Sequence, residues 1–144
     1  GFVGEVVDVN VEPLWECIEN HITPVISPTA RDKDGRIHNC NADVAAAMAA
    51  IALGARRLVF MSDVPGLMQD PSDVSTVIPH LKIDEVQKLK ADGVIAKGMI
   101  PKVDSAVKAI RTGVDKVSFV DGRVSHSVML EIFTDKGIGT EVVL

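Results

Sequence analysis

The chain has 144 residues, enough for one domain that buries roughly two-thirds of the surface of its unfolded form. Hydrophobic residues make up 47% and charged residues 24% of the chain, which argues against intrinsic disorder. The formal charge of −5, with no cluster of lysine or arginine, argues against nucleic-acid binding, and no apolar run approaches the length of a membrane span. With no leader-like start either, we expect a single cytoplasmic domain over residues 1–144.

Cysteine and histidine give no sign of a metal site or of a disulfide framework. Cys17 and Cys40 lie far apart and have no metal-ligand partners at a recognisable spacing. The four histidines, at positions 21, 38, 80 and 126, are equally scattered and are expected on the surface or in packing. We therefore predict no metal site formed by protein side chains.

The first third of the chain mixes extended and helical patterns. Residues 2–9 alternate as a strand does, residues 12–20 place apolar residues on one helical face, and residues 22–28 form an apolar run that predicts a buried strand. Residues 32–35 are a turn signal, after which residues 36–38 resume extended structure, so a hairpin is expected. Because the chain starts directly in a strand-like segment without methionine, it is expected to be part of something longer.

The rest of the chain alternates between strands and helices. Helices are predicted over about 43–53, 84–91, 101–112 and 127–133, strands over 57–61, 116–120 and 140–144, and an irregular stretch over 67–81. The strand at 57–61 is expected to be covered on both faces. The alternation predicts a mainly parallel sheet with helices on both faces, in which ligands bind beyond the carboxyl ends of the strands.

Lys102 occupies an unusual position for a lysine. Pro101 suits the first position of a helix, so the positive pole of that helix faces Gly98 and Lys102. An unaccompanied lysine there costs roughly 0.3–1 kcal/mol. Either the side chain bends into water, or an anion such as phosphate binds at the helix start.

Two further polar motifs have both a structural and a functional interpretation. Asn39, Asn41 and Asp43 suit the start of a helix, but Asp43 could instead hold Lys102 if the two helix starts converge. The segment 63–66 is either a tight turn or a loop whose backbone contacts a ligand. The phosphate loops GxxxxGK[ST] and GxGxxG and the serine nucleophile elbow are absent from the sequence.

Taken in order, six motifs resemble the carboxyl-terminal portion of the acetylglutamate kinases, a group within the amino acid kinase family. They are GFVGEV at 1–6, NCNAD at 39–43, SDVPG at 62–66, GMIPK at 98–102, DGR at 121–123 and EIFTDKGIGT at 131–140. The likeness covers essentially all 144 residues. It implies a three-layer α/β sandwich with a mainly parallel central sheet and helices on both faces. It also implies that the chain is the ATP-binding part of a longer kinase.

The resemblance also implies roles for individual residues. Lys102 matches the lysine that stabilises the transferred phosphoryl group, Asp43 the aspartate that organises the catalytic lysines, and Asn39 a contact to N-acetyl-L-glutamate. The implied reaction moves the γ-phosphoryl group of ATP, bound with Mg²⁺, to the side-chain carboxylate of N-acetyl-L-glutamate in arginine biosynthesis. The implied nucleotide contacts are Asp63, Val64, Pro65, Gly66, Leu67, Val94, Ile95, Ala96 and Met99.

The resemblance also includes a possible inhibitor site, and two positions of this chain differ from the family's usual residues. His126, Glu131, Gly137 and Gly139 resemble the region that binds arginine in feedback-inhibited members, although a helix, a glycine stop and a strand would explain the same pattern. Cys40 stands where a branched apolar residue is usual. Lys97 stands where a small or polar residue is usual. Its positive charge could tighten nucleotide binding, but a lysine on a loop without a role in binding is the favoured interpretation.

The chain has no match to the amino-terminal half of the family, and this limits the activity that we expect from it. In the family, the amino-terminal half supplies a second catalytic lysine, glycine-rich turns near the phosphates, most of the acetylglutamate pocket and the surface used for oligomerisation. The chain alone is therefore expected to bind nucleotide with little or no catalysis. The alternatives are a related kinase of another acylated or carrier-linked amino acid, of the aminoadipate type, and a noncatalytic module that senses nucleotide or arginine.

Overall fold

The computed structural model describes residues 3–96 and 98–144, which contain five α-helices and six β-strands. The helices are α1 (Glu12–Glu19), α2 (Ala42–Leu53), α3 (Val86–Ala91), α4 (Met99–Arg111) and α5 (Ser127–Phe133). The strands are β1 (Thr29–Arg31), β2 (Ile37–Asn39), β3 (Arg57–Ser62), β4 (His80–Lys82), β5 (Lys116–Asp121) and β6 (Thr140–Val143). Short 3₁₀ turns, Val74–Thr76 and Ile83–Glu85, precede β4 and α3.

The larger sheet has the strand order β3-β5-β6-β4. Strands β3 and β5 are parallel, with Ser62 opposite Asp121, and β4 is parallel to β6. Among the named strands of this larger sheet, β5 and β6 alone pair in the antiparallel direction, with Phe119 opposite Thr140. The prediction of a mainly parallel sheet is confirmed, and the carboxyl ends of β3 and β5 lie side by side at one end of it.

Helices cover both faces of this sheet. Successive strand residues point to opposite faces, so the complete burial of both Phe119 and Val120 shows that β5 is covered on each side. The main core joins α2 and α4 to the sheet and includes Phe119, whose ring stacks on that of Phe60 with the centroids 5.5 Å apart. Helix α5 also packs against β5. The expected three-layer arrangement is therefore present.

The sequence signals at the two central helices act as predicted. The Asn41 side chain accepts hydrogen bonds from the amides of Asp43 and Val44 at 3.0 and 3.1 Å, which caps α2. Gly54 ends this helix with a positive φ of 63°, a conformation that glycine adopts without steric cost. Helix α4 begins at Met99, two residues before the expected start. Met99 and Ile100 therefore precede Pro101 in the helix, and Pro101 is not its first residue.

The amino-terminal region departs most from the expectation. The predicted strand over 22–28 is wrong, because this segment forms no strand and leaves Ile22, Val25 and Ile26 exposed, with Val25 at 95%. Among residues 3–9 of the predicted first strand, the only pairing is an isolated bridge between Val3 and Asn39, and Phe2 lies outside the described residues. The hairpin is confirmed, since β1 and β2 pair in the antiparallel direction.

Two smaller corrections concern the larger sheet. Strand β4 lies in the stretch 67–81 that was expected to be irregular. Strand β3 was expected to be covered on both faces, but it is an edge strand and Met61 is 56% exposed. No helix within 3–96 or 98–144 has both the length and the apolar character of a membrane span.

Candidate functional site

Lys102 and Asp43 meet although they lie 59 residues apart in sequence. The Lys102 Nζ donates to both carboxylate oxygens of Asp43, at 2.9 Å each. Asp43 lies in the first turn of α2 and Lys102 in the first turn of α4, and the two helices pack against each other. The two helix starts therefore converge. Each side chain is 23% exposed, so the pair is partly withdrawn from water but still accessible.

Phe60 of β3 lies beneath the ammonium group of this pair. The Lys102 Nζ is 6.0 Å from the centre of the Phe60 ring, within range of a cation–π contact. An ammonium group has three donors, and two of them are directed at Asp43. The third remains available for an anion. A sequence pattern could not identify Phe60, because an aromatic residue in a strand looks like any other core residue.

The two helix starts differ in how their amide groups are satisfied. Asn41 caps α2, whereas no side chain among the described residues caps α4, whose N-cap is the exposed Gly98. The Met99 amide donates to the Ala96 oxygen at 3.1 Å and Pro101 has no amide hydrogen, so it is chiefly the positive pole of the helix dipole that favours an anion at the start of α4. Together with Lys102, this helix start suits a phosphate group.

The segment 63–67 follows β3 directly and is fixed at its far end. The Leu67 amide donates to the Thr140 Oγ1 at 2.8 Å. A Cβ atom at Gly66 would lie 2.7 Å from that same oxygen, so only glycine permits this close approach. Gly66 and Leu67 are buried, whereas Asp63 is exposed and Val64 and Pro65 are half-buried. The segment thus has a fixed base and an accessible first half.

The opposite wall predicted for a nucleotide lies in the connection between α3 and α4. Val94 and Met99 are half-buried and Ala96 is exposed, so all three can reach a ligand. Ile95 is 1% exposed and belongs to the core, as does Leu67. Those two side chains are buried in the core, so their predicted nucleotide contacts stay predictions for the backbone alone. Lys97 lies outside the described residues.

Asp121 and Arg123 form a second charged group at the same end of the sheet. Arg123 donates from Nε and Nη2 to the two oxygens of Asp121, at 2.9 and 2.8 Å, and its backbone amide donates to the same carboxylate at 2.9 Å. The Arg123 side chain and its backbone amide lower the pKa of Asp121 to about 2. Asp121 and, more weakly, Asp63 raise the pKa of the Arg123 guanidinium. Sequence reasoning noted this motif but gave it no role.

Asn39 occupies a less enclosed position. It ends β2, its backbone oxygen accepts from the Gly4 amide at 2.9 Å, and the residue is exposed. It lies two residues before Asn41 and four before Asp43. Its predicted contact to N-acetyl-L-glutamate stays a prediction.

Three of the four residues suggested for arginine line a separate polar cleft of about 250 Å³. Glu131, Gly137 and Gly139 are among its walls, together with Lys116 and Glu141, whereas His126 is not. Glu131 is buried and accepts from the Ile138 amide at 2.9 Å. Because Lys116 begins β5, this cleft lies at the opposite end of the strands from Asp121.

Charges are closely balanced in this cleft. Lys116 donates to Glu141 at 2.7 Å, and the His80 ring lies 3.5 Å from the same carboxylate. Burial raises the pKa of Glu141, but Lys116, His80 and Arg57 together lower it below its ordinary value. Within 3–96 and 98–144, no group of three or more His, Cys, Asp or Glu is placed to hold a metal ion.

Comparison with known proteins gives a consistent set of relatives. The model of the amino acid kinase family matches residues 1–121. Acetylglutamate kinase from Syntrophomonas wolfei is 49% identical over 143 residues, which are 99% of this chain and 50% of that protein. Acetylglutamate kinase from Archaeoglobus fulgidus is 44% identical over 142 residues, covering 99% of this chain and 49% of that one. The chain spans about half the length of these relatives.

Solved structures share the same fold. N-acetylglutamate synthase from Neisseria gonorrhoeae, complexed with coenzyme A and L-arginine, superposes with a TM-score of 0.90 at 26% identity, over 99% of this chain and 32% of that one. Carbamate kinase from Giardia lamblia bound to AMP-PNP superposes with a TM-score of 0.71 at 18% identity, over 94% of this chain and 49% of that one. Family model, relatives and fold agree, and the chain belongs to the amino acid kinase family.

Proposed function

We propose that this chain is the ATP-binding part of an acetylglutamate kinase. The reaction would transfer the γ-phosphoryl group of ATP to the side-chain carboxylate of N-acetyl-L-glutamate, forming an acyl phosphate for arginine biosynthesis. The observation that carries the proposal is the Lys102–Asp43 pair at the uncapped start of α4. The names of relatives that are 44–49% identical favour this substrate over other acylated amino acids.

Lys102 suits the chemistry of phosphoryl transfer. The transferred group passes through a loose transition state whose charge spreads over three oxygens, so the protein contributes mainly positioning and positive charge. Asp43 holds the ammonium by two hydrogen bonds, and the Phe60 ring lies beneath it. The lysine is thereby oriented before the substrate arrives, and little reorganisation is needed during the reaction.

The nucleotide would lie between the segment 63–67 and the connection from α3 to α4. Asp63, Val64 and Pro65 are the accessible side chains of the first wall, and Val94, Ala96 and Met99 those of the second. Mg²⁺ bound with ATP would supply positive charge that offsets the charge developing on the phosphates.

Isothermal titration calorimetry of this chain with ATP and Mg²⁺ tests the nucleotide site directly. We expect binding, with little turnover when N-acetyl-L-glutamate is added, because the acceptor pocket is assigned to the remainder of the enzyme. Robust acyl phosphate formation by this chain alone would contradict that assignment. No heat with millimolar ATP would contradict the nucleotide site itself. The cytoplasmic location expected from the sequence stays a prediction.

Turnover can be tested in a chimera in which this chain replaces the matching half of the Syntrophomonas wolfei kinase. Hydroxylamine traps an acyl phosphate as a hydroxamate, which gives a colorimetric readout. We expect hydroxamate with N-acetyl-L-glutamate and less with N-acetyl-aminoadipate, a longer acceptor. A preference for the longer acceptor would favour the aminoadipate-type alternative, and no activity in a chimera that binds ATP would favour the noncatalytic module.

Arginine is a second proposed ligand, at the cleft lined by Glu131, Gly137 and Gly139. The cleft contains the buried Glu131 carboxylate among groups of both charges, and a synthase with the same fold is described in complex with L-arginine. Its place at the amino ends of β3 and β5 would make arginine act at a distance from Lys102. Calorimetry with L-arginine should give binding that Glu131→Gln weakens and Glu19→Gln, on exposed α1, leaves unchanged. Absence of heat at millimolar arginine would end this proposal.

A further inference from the structure

The carboxyl ends of the two parallel strands β3 and β5 bring two carboxylates close to one arginine. Ser62, at the end of β3, lies opposite Asp121 at the end of β5. Asp63 follows directly on one strand and Arg123 two residues on along the other. The Gly122 amide donates to the Ser62 oxygen at 2.8 Å, which ties the turn carrying Arg123 to the start of the segment 63–67. Both charged groups therefore lie next to the first proposed nucleotide wall.

Arg123 is fixed by hydrogen bonds, and part of its side chain remains exposed. Its Nε, Nη2 and backbone amide all donate to Asp121, so the planar guanidinium has one orientation. The Asp121 side chain is only 10% exposed, whereas that of Arg123 is 66% exposed. The buried carboxylate thus fixes a cation that still projects from the surface beside Asp63.

Without Arg123, this end of the sheet would repel a nucleotide. Asp63 and Asp121 would present two negative charges next to the proposed site of a triphosphate, and like charges at short range oppose binding. Asp121 on its own would also be a buried charge without a partner. A fixed cation that is paired with Asp121 and also feels the charge of Asp63 removes both problems.

We propose that Arg123 is a positioning residue for the nucleotide phosphates: clamped by Asp121, it offsets the charge of Asp63 and fixes the turn beside the segment 63–67. The proposal rests on the nucleotide site proposed above and extends it to a residue outside the two walls. It assigns to Arg123 a contribution that depends on ligand charge and not on packing.

A second arginine pair on the same two strands provides a matched control. Arg56 and Asp115 lie just before β3 and β5, at the opposite ends of these strands. Their closest approach is 3.7 Å, through a single nitrogen, and their side chains are 92% and 64% exposed. Exposed pairs of this kind contribute little. Arg56→Ala therefore removes an arginine from the same strands without touching the proposed site.

The experiment compares ATP with adenosine in calorimetric titrations of this chain, with Mg²⁺ and at low salt. Arg123→Ala should weaken ATP binding by about tenfold, within the range of coupling between neighbouring groups, and leave adenosine binding within about twofold. Arg56→Ala should change neither affinity. Arg123→Lys should recover part of the ATP affinity, because it keeps the charge but cannot form the two-pronged contact to Asp121.

The ATP and adenosine affinities of the variants distinguish a charge-dependent role of Arg123 from a purely structural one. Equal losses for ATP and adenosine in Arg123→Ala would overturn the proposal, because they would indicate a purely structural role. Unchanged ATP binding would overturn it as well. If Arg123→Ala does not fold, as judged by circular dichroism, Arg123→Lys and Arg123→Gln carry the same comparison of the two ligands. Failure of the unaltered chain to bind ATP would instead refute the proposed nucleotide site, from which this inference starts.

Discussion

Helices α1 and α4 carry the same kind of amphipathic pattern and have opposite fates. Helix α4 buries Val103, Ala106, Ala109 and Ile110 in the main core, whereas none of the eight residues of α1, all of them described, is buried. The contrast extends to the surrounding regions. Among the described residues, every buried member of the core lies between Ala47 and Val142, and Val3, Val7 and Val25 of the amino-terminal region are largely exposed.

An apolar stripe therefore shows that a helix could bury one face. It does not show that a partner surface for that face is present. Burial of such a stripe stabilises a protein only where a complementary surface lies within reach. Residues 42–144 supply such surfaces to each other through α2, α4 and the four-stranded sheet. The comparison predicts that stability and the geometry of the Lys102–Asp43 pair depend on residues 41–144, including the Asn41 cap, and much less on residues 3–40.

The largest expected effect tests that division directly. Phe119→Ala should lower the free energy of unfolding by about 3–5 kcal/mol, because it leaves a cavity beneath the Phe60 ring in a fully buried site. Trp15→Ala, on α1, should cost less than about 1 kcal/mol, because its ring is already partly exposed. Denaturant titration followed by circular dichroism measures both. Equal costs would break the comparison.

Lys102→Ala tests whether the Lys102–Asp43 pair, which lies in the packed region, contributes to the proposed phosphoryl transfer. In the chimeric enzyme, turnover should fall by about 10²–10³, the loss typical of removing one preorganised donor, while ATP affinity changes far less. Lys108→Ala, an exposed lysine on the same helix, should leave turnover nearly unchanged. Steady-state hydroxamate assays over a range of ATP concentrations separate kcat from KM. A loss confined to KM would indicate a binding role only.

Gly66→Ala sharpens the comparison within the packed region. The new Cβ would lie 2.7 Å from the Thr140 Oγ1, so either the segment 63–67 or β6 must shift. We expect a cost of about 1–3 kcal/mol in unfolding free energy, as for other overpacked sites, with weaker ATP binding. At Gly98, a Cβ meets nothing within 4 Å, so Gly98→Ala should be well tolerated in the same unfolding measurement. A neutral Gly66→Ala would show that the segment is not held by this contact.

The smallest expected effect is a dependence on acid. Hydrogen bonds from Arg123 hold the pKa of Asp121 at about 2, below its ordinary value. A depressed pKa in the folded state stabilises the fold fully above about pH 4, and this contribution is lost as the pH falls toward 2. Thermal unfolding from pH 6 to pH 2 should therefore show the difference between the unaltered chain and Asp121→Asn narrowing as the pH falls. A constant difference would contradict the Arg123 contact as its cause.

Local signals predicted much of the packed region, since the asparagine cap and glycine stop gave α2 and the alternation of patterns gave a mainly parallel sheet. The conditional expectation that Asp43 meets Lys102 if the two helix starts converge agrees with the structure, and their contact depends on α2 packing against α4. Their catalytic roles stay predictions. Other features required three dimensions. The direction of β6 and the position of Phe60 under Lys102 are set by packing between distant segments. The segment 22–28 was misjudged because apolar content does not specify a partner surface.

Strand β6 lies inside the sheet, between β5 and β4, although it is the last of the described elements in sequence. During translation, β4 is made some sixty residues before the neighbour it pairs with. The Leu67 amide is synthesised 73 residues before Thr140, whose hydroxyl group accepts its hydrogen bond. While the ribosome still holds β6 in its exit tunnel, the sheet has a gap and the segment 63–67 has no fixed base. A nascent chain should therefore acquire affinity for nucleotide only once β6 has left the tunnel, in one late step.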